Sequence, residues 1–95
     1  MGRARRYQPK YLADKLKEIR IRLDMTQTQM AERLSSVEPV PRRGHIAEFE
    51  SGTRQPSLSV LLQYSRLARI HLEVLADDEL DLPERLPAMA SRKRN

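Results

Sequence analysis

Apolar residues recur along the middle of this chain at the period of a helix, and nowhere with the alternation of a strand. Leu12, Leu16, Ile19 and Leu23 fall on one stripe and predict a first helix, with Pro9 in its first turn, where a missing N–H costs little. Thr26-Gln27-Thr28-Gln29 is a capping box that predicts a second helix over about 27–34, with Met30, Ala31 and Leu34 on its inner side. Met25 and Met30 are placed to form a hydrophobic staple across that start. Ser35–Pro41 follows, and its two prolines force Glu38 and Val40 to run extended. Ile46 and Phe49 predict a third helix over 42–50, stopped by Gly52. Ser57 caps a fourth, with Val60, Leu61, Tyr64, Leu67 and Ala68 facing inward. A short fifth is expected within 71–80, bearing Leu72, Leu75 and Leu80, before Pro83 and Pro87 end regular structure.

The pattern predicts an all-α domain of five short helices around one core. Residues 1–8 read as a basic disordered arm, 9–82 as the folded domain and 83–95 as a flexible basic tail. A chain of 95 residues has little room for a catalytic cleft beside its core. With no cysteine it has neither a disulfide framework nor a cysteine-ligated metal site. It lacks an apolar run of the roughly 20 residues that span a bilayer, and its basic start lacks the apolar region of a secretory signal. A cytoplasmic protein with no membrane association is expected.

Charge changes the picture by where it lies. Residues 1–24 carry eight Lys/Arg against three Asp/Glu, whereas 25–56 balance four against four and 57–95 six against six. Basic segments beside a compact domain suit a polyanion such as nucleic acid, and equally a solvated surface. His45-x-x-Glu48 has helical ligand spacing but no second ligand pair, and zinc fills four positions. Without a Ser/His/Asp set, a phosphate-cradling glycine loop or paired acids, neither enzyme nor cofactor is expected.

Two short helices, a break and a glycine-stopped second helix make a helix-turn-helix candidate. LKEIRIRLDMTQTQMAERL, then HIAEFESGTRQPSLSVLLQYSRL, resembles the Cro and lambda-repressor type (Xre-like) helix-turn-helix domains over about residues 12–76. Its most specific pieces are Thr26-Gln27 before Met30-Ala31, and Ile46-x-x-Phe49-Glu50-x-Gly52 before Pro56-Ser57. The resemblance implies a five-helix domain whose third helix lies in the major groove of double-stranded DNA.

By position it implies a phosphate contact for Gln27 and base edges facing Arg43, Gly44, Ala47 and Glu48, with Arg42 at the start of the helix. His45 is a surface or DNA-contacting group in that reading. Ser51, Thr53 and Arg54 fall in a loop that touches the DNA backbone, and Arg20 and Glu50 match an ion pair tying the first helix to the third. Alternatives stay open at single residues. Arg43 suits guanine or a phosphate, and Glu48 suits a cytosine amino group or an arginine of its own chain. Gly44 marks either close approach to DNA or a helix that starts later.

The turn departs from the family pattern, being about five residues longer than the usual tight connection. The function implied is a sequence-specific transcriptional regulator, prokaryotic or phage and nucleoid-associated, acting as a repressor and a homodimer. Leu72–Leu82 is a candidate for its dimer surface or for completion of the monomer core. The alternative is a protein-interaction adaptor, such as the antitoxin of a toxin–antitoxin pair, meeting its partner through the C-terminal segment. The acidic run Asp77-Asp78-Glu79-x-Asp81 favours that alternative.

Overall fold

The computed structural model describes residues 9–88, so the arm at 1–8 and the last part of the expected tail, 89–95, lie outside the described residues. Five helices follow in order: α1 (Leu12–Arg22), α2 (Gln27–Arg33), α3 (Arg43–Ser51), α4 (Leu58–Ala68) and α5 (Leu72–Ala76). No strand occurs among the described residues. The stripe Leu12, Leu16, Ile19 and Leu23 is buried, and Met30, Leu34, Ile46, Phe49, Val60, Leu61, Tyr64, Ala68 and Leu75 close one core around it. Among the described residues no helix is long and apolar enough to cross a membrane.

Helix ends follow local chemistry where the sequence supplies it. The Thr26 hydroxyl accepts from the Gln29 N–H at 3.0 Å, and the Gln29 side chain accepts from the Thr26 N–H at 2.8 Å. The Ser57 hydroxyl accepts from the Val60 N–H at 3.2 Å. Gly52 ends α3 at φ +83°, a backbone state that a side chain would strain. That turn lets the Thr53 and Arg54 N–H groups reach the Glu48 carbonyl at 3.0 and 3.3 Å.

The start of α1 is made differently. The helix begins at Leu12, so Pro9 precedes it rather than standing in its first turn. The N–H groups at its N-cap and just before it are met from across the molecule, where the Asp78 carboxylate accepts from Lys10 at 2.8 Å and Tyr11 at 3.1 Å. These bonds, that from Lys10 foremost, hold the Asp78 carboxyl below the usual aspartate range. A carboxyl lowered by folding stabilises the fold fully above its unfolded value of about 3.9, and loses that contribution as pH falls through the lowered value. Urea-unfolding midpoints followed from about pH 7 to about pH 2 are therefore expected to fall less steeply with acid in Asp78→Asn than in the parent chain. Equal slopes would contradict the cap. Part of the acidic run read as a docking candidate is thus committed within the fold, and Asp77 likewise accepts from the Glu79 N–H at 2.9 Å.

α5 occupies Leu72–Ala76, inside the segment expected to hold it, and its C-terminal end faces a buried cation. The Lys15 ammonium donates to the carbonyls of Val74, Asp77 and Leu80 at 2.7, 3.0 and 2.8 Å. Three donors meet three acceptors, and the cation sits at the negative end of a helix. Leu75 is fully buried, and Leu72 and Leu82 pack against the core. These leucines complete the monomer core.

Burial continues past the boundary expected at residue 82. Leu86 is fully buried and Ala88 nearly so. Arg22 fastens the approach to them by donating to the Pro83 carbonyl at 2.7 Å. Leu86 and Ala88 thus join the buried cluster formed by the helices.

Candidate nucleic-acid interface

The interface is organised by one polar joint. Arg20 on α1 meets Glu50 on α3 in a two-point pair, Nε to Oε2 at 2.6 Å and Nη2 to Oε1 at 3.0 Å. The third face of the guanidinium donates to the Met25 carbonyl at 2.9 Å. From α2, the Gln27 amide donates to Glu50 Oε1 at 3.2 Å. One carboxylate thereby fixes α1, α2 and α3 relative to one another. Its bond to Arg20 holds that guanidinium above its usual value, against the opposing effect of burial. Beneath the joint, the Tyr64 hydroxyl is buried with no hydrogen-bond partner among the described residues, and burial followed by the charge of Glu50 pushes its ionisation strongly up.

α3 turns Ile46, Phe49 and Glu50 inward. Its other side presents Arg43, Gly44 and Ser51 exposed, with Ala47 and Glu48 half-buried between them. Glu48 is paired with Arg54 from the following loop. The Arg54 bond holds the Glu48 carboxyl below its usual range, with smaller help from the charge of Arg54. The Ser51 and Thr53 hydroxyls lie 2.9 Å apart, and Ser51 donates to the Glu48 carbonyl at 3.2 Å. Arg42 and Arg43 are exposed, and neither guanidinium has an ion pair or hydrogen bond among the described residues. Both acids of α3 are therefore matched by arginines, while the two arginines at its start are unmatched. The helix dipole adds positive potential at that same end.

Gly44 is the second residue of the helix, so the helix does not begin later. A Cβ built there meets nothing within 4 Å, which means the fold itself does not require glycine at this position.

His45 carries a role that its sequence context hides. Its Nδ1 accepts from the Arg42 N–H at 3.0 Å, the place that Glu or Gln takes in a capping box. Histidine is not part of that sequence signature, and only the backbone position of Arg42 discloses it. In the neutral ring an accepting Nδ1 puts the proton on Nε2.

The long connection between α2 and α3 is anchored at both ends. Val37 and Pro41 are buried, the Glu38–Pro39 peptide is cis, and Val40 stands 46% exposed just before α3. Pro39, Val40 and Pro41 form one wall of a groove of about 180 Å³. His45 and Phe49 from α3, and Arg54, Gln55 and Ser57 from the next loop, line the remainder together with Val60.

The joint and the exposed arginine end bring Gln27, Arg42, Arg43, Gly44, His45, Ala47, Glu48, Ser51, Thr53 and Arg54 onto α2, α3 and the adjoining loop. Gln27 differs from the others, since one of its amide hydrogens is turned inward to Glu50. Among the described residues no group of His, Asp and Glu is arranged to hold a metal ion.

No curated protein and no solved structure matches the chain significantly. The helix-turn-helix family model does match, over residues 16–75, from within α1 to the interior of α5. That span contains the capped α2, the glycine-stopped α3 and the joint between them, and on it the chain belongs to the helix-turn-helix family of the lambda-repressor and Xre type.

Proposed function

We propose that this chain is a transcription regulator that represses by occupying operator DNA, with α3 lying in the major groove. The observation that carries the reading is electrostatic. Glu48 and Glu50 are each neutralised by an arginine of the fold, and Arg42 and Arg43 at the positive end of the helix have no acidic partner among the described residues. Arg43 donates to guanine O6 and N7, the commonest specific contact in this groove. Arg42, the second amide hydrogen of Gln27, and the Ser51, Thr53 and Arg54 side chains meet phosphates, which fix register without reading sequence. Arg54 does so by exchanging Glu48 for a phosphate or by spanning both. A homodimer places two such helices on half-sites about 10 bp apart. The adaptor alternative loses support, because Asp77 and Asp78 are engaged in the fold.

Gly44 supplies the test. Since a Cβ there meets no atom of the protein, Gly44→Ala is expected to raise stability by up to about 1 kcal/mol through helix propensity. The same change is expected to weaken duplex binding, because the methyl group comes between α3 and the DNA. Thermal unfolding and gel-shift titration on one preparation check both halves. A more stable variant that binds DNA unchanged would mean that this end of α3 does not approach a duplex closely.

A further inference from the structure

The groove beside α3 combines two features that suit thymine best. The first is the fixed tautomer of His45, whose Nδ1 is occupied by the Arg42 N–H, so that the neutral ring offers Nε2 only as a donor. The second is the apolar wall of Pro39, Val40 and Pro41 lining the same groove, with Val40 about half exposed. Arg54 also lines this groove and is paired with Glu48, so the groove is continuous with the side of α3 that carries Glu48.

In the major groove thymine alone presents an acceptor, O4, beside an apolar group, the C5-methyl. Guanine and adenine offer acceptors without a methyl, and cytosine offers an amino donor that would oppose a second donor. We infer that His45 and Val40 together read a thymine, Nε2–H donating to O4 while the methyl group packs against Val40 and its flanking prolines. This assignment rests on the proposed docking of α3 in the major groove and goes beyond it by naming the base read. It also gives the long connection a task, since a tight turn would leave no wall beside His45. Val40 acts as a specificity-determining residue, and Arg43 and the phosphate contacts supply affinity without it.

The test replaces thymines one at a time by deoxyuridine in a duplex that the full chain binds, removing the methyl and leaving O4 in place. One position is expected to lose about 4-fold in affinity, the value of one buried methyl-sized group. Replacement by cytosine at that position is expected to lose more, because donor then faces donor. In Val40→Ala, a change at an exposed site that leaves the core intact, the thymine–deoxyuridine difference at that position is expected to vanish while binding persists. Binding that is indifferent to deoxyuridine at every position, or a difference that survives in Val40→Ala, overturns the assignment and leaves the DNA-binding reading standing. Failure of the parent chain to bind any duplex overturns both.

Discussion

Glu50→Ala is expected to destabilise the fold by about 3 kcal/mol, the lower part of the range for removing one partner of a buried ion pair. The Glu50 side chain is only 4% exposed and that of Arg20 14%, so the stranded guanidinium keeps slight access to water. After the substitution Arg20 retains the Met25 carbonyl alone, and Gln27 loses its acceptor. Replacing both Arg20 and Glu50 by leucine is expected to recover much of that loss, because the cost of dehydrating both charges offsets most of their attraction. Urea unfolding of Arg20→Leu, Glu50→Leu and the double variant measures this as a cycle. A cost below about 1 kcal/mol for Glu50→Ala would be that of a surface pair and would contradict the joint. What the pair supplies is geometry: it fixes α3 against α1 and α2, and thereby the direction in which Arg42 and Arg43 project.

Lys15→Met is the second large effect. It keeps the apolar stem but withdraws all three donors from the carbonyls of Val74, Asp77 and Leu80. A hydrogen bond to a charged group is worth about 1.5–3 kcal/mol, and such values do not sum within one group. A loss of about 3 kcal/mol is expected. Lys17→Met, at an exposed position of the same helix, is the control and should stay within about 0.5 kcal/mol. Amide exchange should also accelerate in α5 before it does in α3, because Lys15 secures the end of α5. Equal unfolding midpoints for the two variants would mean that the ammonium is not engaged.

What could be read from the sequence, and what could not, divides by distance along the chain. The box at Thr26, the cap at Ser57 and the stop at Gly52 act within a few residues, and each helix they bound carries a regular apolar stripe. Those elements were legible. The cap on α1 comes from Asp78, and the lock on α5 from Lys15, partners separated by about 60 residues or more, and no periodic pattern encodes such a pairing. Leu86 and Ala88 escaped because single buried positions around Pro87 have no period to detect. At the interface, helical phase separates Arg43, Gly44 and Glu48 from the core positions Ile46 and Phe49. The pairing of Glu48 with Arg54, the bond from Gln27 to Glu50 and the cap made by His45 depend on where loops return, and only coordinates disclose them.

The central claim is that α3 reads a duplex with its free arginine end, and selection of bound sites from random DNA by the parent chain and by Arg43→Ala tests it most directly. The parent chain is expected to enrich a two-fold symmetric site with half-sites about 10 bp apart. Arg43→Ala is expected to lose the preference for one guanine in each half-site while still binding DNA through its phosphate contacts. Enrichment of the same sequence by both, or of no sequence by the parent chain, would contradict the account.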